Sequence, residues 1–248
     1  MTLEQFFAEN REVAVAFSGG VDSAYLLYAA TRYAARVKAY YVSTAFQPEF
    51  ELADARRLAD ELGADMLVLH VDVLSNSAVT ANPSDRCYHC KNTLFRQILR
   101  AAENDGFPVL LDGTNASDDA GDRPGMRALR ELSVRSPLRE CGLTKAEIRR
   151  LSREAGLFTW DKPAYACLAT RIRTGEEITL QKLKQTEKAE GFLFGLGFRD
   201  FRVRMVDNTA KLELREADLP LLLENRGKIV TELRKDYDSV LLNLEVRK

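Results

Sequence analysis

This sequence has no excess of charge of either sign, because its positive and negative residues nearly balance, and it has no long apolar run. Over 248 residues the formal net charge is −1, so there is no overall basic field of the kind that attracts nucleic acids. No apolar stretch approaches the roughly 20 residues that a membrane-spanning helix requires. Residues 1–5 also lack the basic start and apolar run of a signal peptide. We therefore expect a cytoplasmic protein that has neither a membrane nor a nucleic acid as its partner.

Disulfides are also unexpected, although the chain has four cysteines. A cytoplasmic compartment is reducing, and cysteines kept there as thiols more often serve metal or catalytic chemistry. Hydrophobic residues make up 46% and charged residues 29%, which is the composition of a folded globular protein and excludes a disordered chain.

The first half of the chain alternates short apolar runs with amphipathic patterns of helical period. This alternation predicts an α/β fold with a parallel, doubly wound sheet covered on both faces. The predicted strands are 13–17, 37–44, 64–71 and 109–111, and the predicted helices are 22–35, 49–62 and 144–155.

The pattern changes near residue 175. A charged helix over 179–194 is followed by residues 201–206 and 211–215, which alternate apolar and polar residues as half-buried antiparallel strands do. A helix over 219–233 and an alternating segment over 239–246 complete the chain. We expect a domain over 1–175 and a smaller α+β domain over 176–248, which serves substrate binding or oligomerisation.

Residues 18–23 read Ser-Gly-Gly-Val-Asp-Ser between an apolar strand and a helix. The two glycines let the backbone approach an anion, and the helix N-terminus adds partial positive charge. Asp22 can hold Mg²⁺ or fix the loop. A Walker motif is excluded, because the loop has no Gly-Lys-Ser/Thr, and this argues against transfer of the γ-phosphate. The residues predicted to bind ATP are Ser18, Gly19, Gly20, Asp22 and Ser23.

This hexapeptide resembles the pyrophosphate loop (PP-loop) of the N-type ATP pyrophosphatases. The resemblance implies that ATP is split between its α- and β-phosphates and that AMP is attached to an oxygen of the substrate. Asp112-Gly113-Thr114-Asn115 follows a later strand and resembles the segment that closes the same site. By itself this segment is equally consistent with a simple strand-to-helix turn. It adds Gly113 and Thr114 to the predicted ATP-binding residues.

Three of the cysteines stand in distinctive surroundings. Cys87 and Cys90 form a Cys-x-x-Cys pair between a proline-bearing loop and a helix, and Cys167 lies close to Arg171, which favours a thiolate. Cys141 is most simply a packed or surface thiol. The spacing leaves open three interpretations, namely unrelated structural cysteines, a zinc site and an iron–sulfur cluster.

The segments around these cysteines resemble the LarE family. The resemblance is carried by Arg-Cys-Tyr-x-Cys-Lys over 86–91 and Pro-Ala-x-Ala-Cys-Leu over 163–168, and it covers nearly the whole chain. It implies that ATP adenylates a carboxylate of pyridinium-3,5-biscarboxylic acid mononucleotide, a small-molecule nucleotide, and that sulfur then replaces oxygen. This reaction belongs to the synthesis of the nickel-pincer nucleotide cofactor of lactate racemase.

The same resemblance suggests two sources of sulfur. Members with three cysteines carry a [4Fe-4S] cluster, here expected on Cys87, Cys90 and Cys167, whereas members with one cysteine give up the sulfur of the residue that matches Cys167. We expect the cluster version, and with it ATP and Mg²⁺ as cofactors. Cys167 and Asp22 are the residues expected to be catalytic.

Two pairs of charged residues in the second domain are further candidates. Arg202 and Arg204 alternate along one strand and therefore face the same side, which suits bidentate contacts to a phosphate. The LarE resemblance implies that this pair holds the phosphate of the substrate, that Glu190 and Glu213 bind a divalent cation, and that the protein is a homo-oligomer, specifically a hexamer. As bare sequence, both glutamates are equally consistent with surface charges.

Two other functions stay open at this point. A tRNA-thiolating enzyme would share the ATP step and the cysteines but would need a polynucleotide-binding surface, which the net charge does not suggest. A non-catalytic regulator that binds ATP or a metal is the other alternative.

Overall fold

The computed structural model describes residues 1–118 and 124–247. The chain forms two compact units. The first comprises Met1–Val73 and Asp85–Ala164, and the second comprises Leu74–Ser84 and the residues from Tyr165 onward. The predicted boundary lies near residue 175, some distance beyond the division at Ala164, and the sequence gives no sign that 74–84 group with the C-terminal unit.

The first unit alternates strands and helices along the chain. Its strands are β1 (Glu12–Ala16), β2 (Arg36–Ser43), β3 (Met66–His70) and β4 (Val109–Leu111). Its helices are α1 (Leu3–Glu9), α2 (Val21–Tyr33), α3 (Glu49–Leu62), α5 (Arg86–Asn104), α6 (Pro124–Glu131), α7 (Pro137–Glu140) and α8 (Lys145–Glu154), with α4 (Ser77–Thr80) in the second unit.

The four strands form one parallel sheet in the order β3-β2-β1-β4. Side chains alternate along β1, so that Val13 and Val15 join a core with α2 and α3 while Ala14 joins a second core with α5. Helices therefore cover both faces, which explains why the strands read as continuous apolar runs. The predicted α/β, doubly wound fold is confirmed.

The order of the strands creates a switch point at the carboxyl end of β1. The chain leaves β1 through α2 and returns in β2 on one side, whereas β4 pairs with β1 on its other side. Parallel sheets bind ligands in the crevice at such a point, because the loops after the two neighbouring strands diverge there. The segment after β1 is residues 17–20, the start of the predicted phosphate loop.

The second unit contains a three-stranded sheet in the order β5-β6-β7, formed by β5 (Arg202–Val206), β6 (Thr209–Glu213) and β7 (Ser239–Leu242). Helices α9 (Leu180–Gly195) and α10 (Leu219–Leu233) pack on its apolar face. Strands β5 and β6 are antiparallel, as the sequence predicts. Strand β7 runs parallel to β6, because α10 intervenes and carries the chain back to the start of the sheet.

Two predicted helix starts are confirmed by their caps. Thr144 forms a capping box with Glu147 at the start of α8, and the hydroxyl of Thr179 accepts a hydrogen bond from the amide of Lys182 at the start of α9. Within the described residues, no helix has the length and apolarity needed to cross a membrane.

Candidate active site

The phosphate loop joins β1 to the first turn of α2. Gly19 has a φ of +71°, which glycine adopts without strain, and a Cβ there would lie 3.3 Å from the Cβ of Ala55 in α3. Gly20 is the N-cap of α2 and makes no side-chain cap hydrogen bond. A helix end that no side chain caps leaves its first amides and the positive end of its dipole for an anion.

The hydroxyl of Ser23 closes the loop on itself. Ser23 Oγ accepts a hydrogen bond from the amide of Ser18 at 3.2 Å, lies 3.0 Å from Ser18 Oγ, and donates to the carbonyl of Gly20 at 3.2 Å. Ser23 is buried. The two serines that the sequence identifies as donors to phosphate therefore bond each other, and they fix the shape of the loop that an anion meets.

The two carboxylate oxygens of Asp22 differ in their surroundings. Lys145 Nζ donates to Asp22 Oδ2 at 2.5 Å, whereas Oδ1 is buried and has no hydrogen-bond partner in the part of the chain that the structure describes. Burial raises the pKa of Asp22 above its ordinary value, and the nearby ammonium of Lys145 only partly opposes this. A buried carboxylate oxygen without a partner suits a hard divalent cation such as Mg²⁺, so this residue fits the predicted cation role.

The segment after β4 lies directly against the loop. A Cβ built on Gly113 would lie 2.9 Å from the amide nitrogen of Ser23, which is closer than real Cβ contacts come. Asp112 accepts hydrogen bonds from Thr114 Oγ1 at 2.5 Å and from Ser136 Oγ at 2.6 Å. The structure therefore brings this segment to the phosphate loop, and it directs the hydroxyl of Thr114 to Asp112.

Lys162 also reaches the phosphate loop, although the sequence does not indicate this contact. Its Nζ donates to the carbonyl of Gly19 at 3.3 Å and to Asp54 Oδ2 at 2.7 Å. Its only local signal is its position before Pro163, in the segment that carries the family resemblance. That signal does not indicate a contact with a residue so distant in sequence.

The Cys-x-x-Cys pair, predicted to lie between a proline-bearing loop and a helix, lies within helix α5 itself. Cys87 and Cys90 fall in the first turns of α5, where residues three apart share a face of the helix. Cys87 is exposed and Cys90 is half-buried, and Arg86 Nη2 lies 3.8 Å from Cys87 Sγ. The three-residue spacing thus places both thiols on one face of the helix.

Cys167 belongs to the second unit, where Arg171 shapes the turn that carries it. Arg171 is fully buried, and its Nη1 donates to the carbonyl of Ala166 at 2.6 Å. The carbonyl of Cys167 accepts a hydrogen bond from Thr170 Oγ1 at 2.8 Å. The pKa of Arg171 is raised, because hydrogen bonds and charge from Glu190 outweigh the opposing effect of burial. The turn is therefore built on a buried positive charge.

Glu190 is the partner of that charge. Its two carboxylate oxygens accept hydrogen bonds from Arg171 Nε and Nη2, each at 2.9 Å. The amide of Val203 donates to Oε1 at 2.9 Å, and the hydroxyl of Tyr165 donates to Oε2 at 2.5 Å. Both oxygens are thus engaged with protein donors. Glu213 pairs with Arg204, whose Nε lies 3.1 Å from Oε2. A cation role for the two glutamates stays a prediction.

Arg202 and Arg204 lie on the same face of β5, as their alternation requires. Arg202 is buried, and its Nη1 donates to the carbonyl of Phe201 at 2.6 Å. The pKa of Arg202 is lowered by burial and by the charges of Arg171 and Arg247. Guanidinium groups so crowded together repel one another, and a bound anion would relieve that repulsion.

The cysteines are all thiols in the described chain, with no disulfide between them. Within residues 1–118 and 124–247, no three His, Cys, Asp or Glu side chains are placed so that together they could hold a metal ion. Cys87 and Cys90 lie in the first unit and Cys167 in the second. The donor chemistry of the three thiols nevertheless fits an iron–sulfur cluster.

Comparison with known proteins agrees with the fold and the loop. The asparagine synthase family profile matches residues 4–118. The pyridinium-3,5-bisthiocarboxylic acid mononucleotide synthase of Lactiplantibacillus plantarum is 34% identical over 94% of this chain and 85% of its own length. An uncharacterised protein of Synechocystis is 39% identical over 86% of this chain and 80% of its own length.

A more distant relative is the tRNA-specific 2-thiouridylase MnmA of Thermotoga petrophila, which is 27% identical over 59% of this chain and 52% of its own length. Together, the parallel sheet, the loop after β1 and these matches define an ATP-dependent sulfurtransferase with a PP-loop domain. The chain belongs to the LarE family, that of the L. plantarum synthase.

Proposed function

We propose that this enzyme uses ATP to adenylate a carboxylate of pyridinium-3,5-biscarboxylic acid mononucleotide and then replaces an oxygen of that carboxylate by sulfur. The reaction would belong to the synthesis of the nickel-pincer nucleotide cofactor of lactate racemase, in the cytoplasm. The observation that carries the proposal is the loop itself, at the switch point of the sheet. There, α2 begins without a side-chain cap, and Oδ1 of Asp22 has no hydrogen-bond partner among the described residues. The substrate is supported by the L. plantarum relative, which is named as the synthase of the corresponding bisthiocarboxylic acid mononucleotide.

The chemistry has two steps. A carboxylate oxygen of the substrate attacks the α-phosphorus of ATP, the α–β bond breaks, and pyrophosphate leaves. A sulfur nucleophile then attacks the carbonyl carbon, and AMP departs with the former carboxylate oxygen. Adenylation is needed because a carboxylate is a poor electrophile until its oxygen becomes a good leaving group.

The residues of the first unit serve the first step. The amides of the first turn of α2 would bind the pyrophosphate portion of ATP, and the closed shape that Ser23 gives the loop would hold those amides in position. Asp22 would hold Mg²⁺ through Oδ1, the oxygen that has no hydrogen-bond partner within residues 1–118 and 124–247. Gly113 would let the segment after β4 close on the loop. Release of pyrophosphate only when the dicarboxylate mononucleotide is added would support this step.

The sulfur source is proposed to be a [4Fe-4S] cluster held by Cys87, Cys90 and Cys167. Such a cluster would leave one iron without a protein ligand, and an extra sulfide there would supply the sulfur. The two thiols that share one face of α5 support the proposal, since they can serve the same centre. Sacrifice of the sulfur of Cys167 itself is the competing route.

Iron and acid-labile sulfide in protein purified without oxygen distinguish the two routes. We expect both in the wild-type protein, and we expect Cys167→Ala to abolish the cluster absorbance. Cys141→Ala is the matched control, because Cys141 lies outside the proposed set, and it should retain the cluster. If the wild-type protein is colourless and acquires dehydroalanine at position 167 during turnover, the sulfur comes from Cys167 itself and not from a cluster.

The substrate phosphate is proposed to bind at Arg202 and Arg204 in the second unit. Their shared face of β5 supports an anion there, as does the pKa of Arg202, which is lowered first by burial and then by the charges of Arg171 and Arg247. A homo-oligomeric assembly, hexameric by family resemblance, is part of the same proposal.

Thiolation of tRNA is the second candidate, favoured by the similarity to MnmA over 59% of the chain. Strong, salt-dependent binding of tRNA would favour it over a mononucleotide substrate. The net charge of −1 leads us to expect no such binding.

A further inference from the structure

The phosphate loop has no lysine of its own, unlike the Walker loop. Its backbone amides, together with a helix dipole equivalent to about half a unit charge, neutralise little of the charge of a pyrophosphate group. A full positive charge has to come from elsewhere in the chain or from a cation. Two ammonium groups that contact the loop residues, those of Lys145 and Lys162, are candidates.

These two lysines differ in what holds them. Lys145 bonds Asp22, the residue that is proposed to bind Mg²⁺, so its charge already serves that carboxylate. Lys162 bonds the carbonyl of Gly19 and a carboxylate, Asp54, that belongs to α3 and not to the loop. A phosphate oxygen arriving at the loop can replace both acceptors of Lys162 without disturbing the loop hydrogen bonds of Ser23.

The backbone of Lys162 is fixed, although the end of its side chain can change partners. Arg149 Nη1 donates to the carbonyl of Trp160 at 2.7 Å, and Arg149 Nη2 donates to the carbonyl of Lys162 at 2.9 Å. The amide of Lys162 donates to the carbonyl of Thr159 at 3.1 Å. The lysine side chain is only 15% exposed, whereas that of Asp54 is 34% exposed. The ammonium is thus held beside the loop on a rigid turn and is little screened by water.

We propose that Lys162 is the pyrophosphate-binding cation of this enzyme, and that in the absence of nucleotide Asp54 holds its ammonium beside Gly19. The inference rests on the proposed function, because it names the residue that binds the group which the ATP reaction releases. Its ligand is the β,γ-pyrophosphate portion of ATP, and the free pyrophosphate product shares that chemistry. AMP, which lacks this portion, would make no such contact.

Equilibrium binding of ATP, inorganic pyrophosphate and AMP to the full-length protein tests the inference by calorimetry, without any need for sulfur transfer. A charge-assisted hydrogen bond of this kind corresponds to roughly tenfold to hundredfold in affinity. We expect Lys162→Met to lower the affinity for ATP and for pyrophosphate by that factor and to leave the affinity for AMP unchanged. Lys162→Arg should retain most of the affinity.

Asp54→Asn is the matched variant, since it removes the competing acceptor. It should bind ATP as tightly as the wild type or more tightly, whereas Lys162→Met binds it more weakly. If both variants lowered the melting temperature alike and left ATP affinity unchanged, the pair would be a structural tie and the inference would be wrong. Wild-type protein that bound neither ATP nor pyrophosphate would instead overturn the proposed function, and the inference with it.

Discussion

Gly113 lies so close to Ser23 that a Cβ on the glycine would be 2.9 Å from the serine amide nitrogen and 3.1 Å from its Cα. Both of these atoms are backbone, so no side chain can move aside to make room. The segment after β4 and the first turn of α2 are therefore in contact only because position 113 is glycine.

Gly113→Ala is expected to push this segment away from the phosphate loop. By analogy with the cost of overpacking, about 1–3 kcal/mol, it should weaken ATP binding roughly fivefold to 150-fold. Gly191→Ala is the control, because a Cβ on Gly191 in α9 meets nothing within 4 Å. It should leave ATP affinity unchanged and raise stability slightly, since alanine favours helix. Calorimetric titration with ATP checks both variants. Equal ATP affinities of Gly113→Ala and Gly191→Ala would contradict the contact between Gly113 and the phosphate loop.

Ser23→Ala removes the hydroxyl that closes the phosphate loop. It removes the acceptor of the Ser18 amide. Because Ser18 is exposed, water can replace that acceptor, so the net loss of unfolding free energy is about 0.5–1.5 kcal/mol. We expect a lower melting temperature together with weaker ATP binding. Ser152→Ala serves as the control, because Ser152 is fully buried and its hydroxyl has no hydrogen-bond partner in the described chain. Removing this hydroxyl should leave the melting temperature unchanged or raise it. A fall in melting temperature equal to that of Ser23→Ala would refute the role of the loop contacts.

The Arg171–Glu190 ion pair should behave as a single buried unit. Removal of one partner leaves an uncompensated buried charge, so Arg171→Met is expected to lower the unfolding free energy of the second unit by about 3–5 kcal/mol. The double variant Arg171→Met/Glu190→Gln should lose less than the sum of the two single variants, because neither charge is then stranded. Scanning calorimetry measures these losses. Additive losses would mean that the two side chains contribute independently.

The contribution of Glu140 to stability should depend on pH. Hydrogen bonds from Arg135 hold the pKa of Glu140 below its ordinary value, against the effect of burial. Because the folded-state pKa is the lower one, the stabilisation is fully present above the unfolded-state pKa and is lost as the pH falls through the folded-state pKa. Glu140→Gln should therefore lower the melting temperature at pH 7. The loss of unfolding free energy should be less than about 1 kcal/mol, because the pair is partly exposed, and the difference from wild type should vanish in acid.

The exposed pair of Arg150 and Glu154 provides the comparison, since both side chains are more than half exposed. Glu154→Gln should change the melting temperature little at any pH. A difference between wild type and Glu140→Gln that persisted undiminished in acid would contradict the role assigned to the charge.

The backbone of Arg135 also contacts β4, because its amide donates a hydrogen bond to the carbonyl of Leu110.

The sequence predicts those parts of the site that one segment carries alone. The strand, the two glycines and the helix after them are contiguous, so the local pattern from Val13 to Ser23 suffices for β1, the loop and α2. Cys87 and Cys90 lie inside α5 and not before it, because the helix begins at Arg86, with no side-chain cap to mark its start.

What the sequence does not predict depends on contacts between distant residues. Lys162 meets Gly19 and Asp54 only because the turn after α8 and helix α3 both pack beside the loop. Glu190 reads as a surface charge on a long polar helix, yet it is buried against Arg171. The parallel pairing of β7 with β6 likewise depends on the path of α10 and not on the alternation within β7.

The most direct test of the central claim is mass spectrometry of the mononucleotide after anaerobic incubation of the enzyme with ATP, Mg²⁺ and pyridinium-3,5-biscarboxylic acid mononucleotide. We expect a product in which sulfur has replaced a carboxylate oxygen, formed together with AMP and pyrophosphate and absent when ATP is omitted. Unchanged mononucleotide in a preparation that binds ATP and carries its sulfur source would rule out sulfur transfer to this substrate.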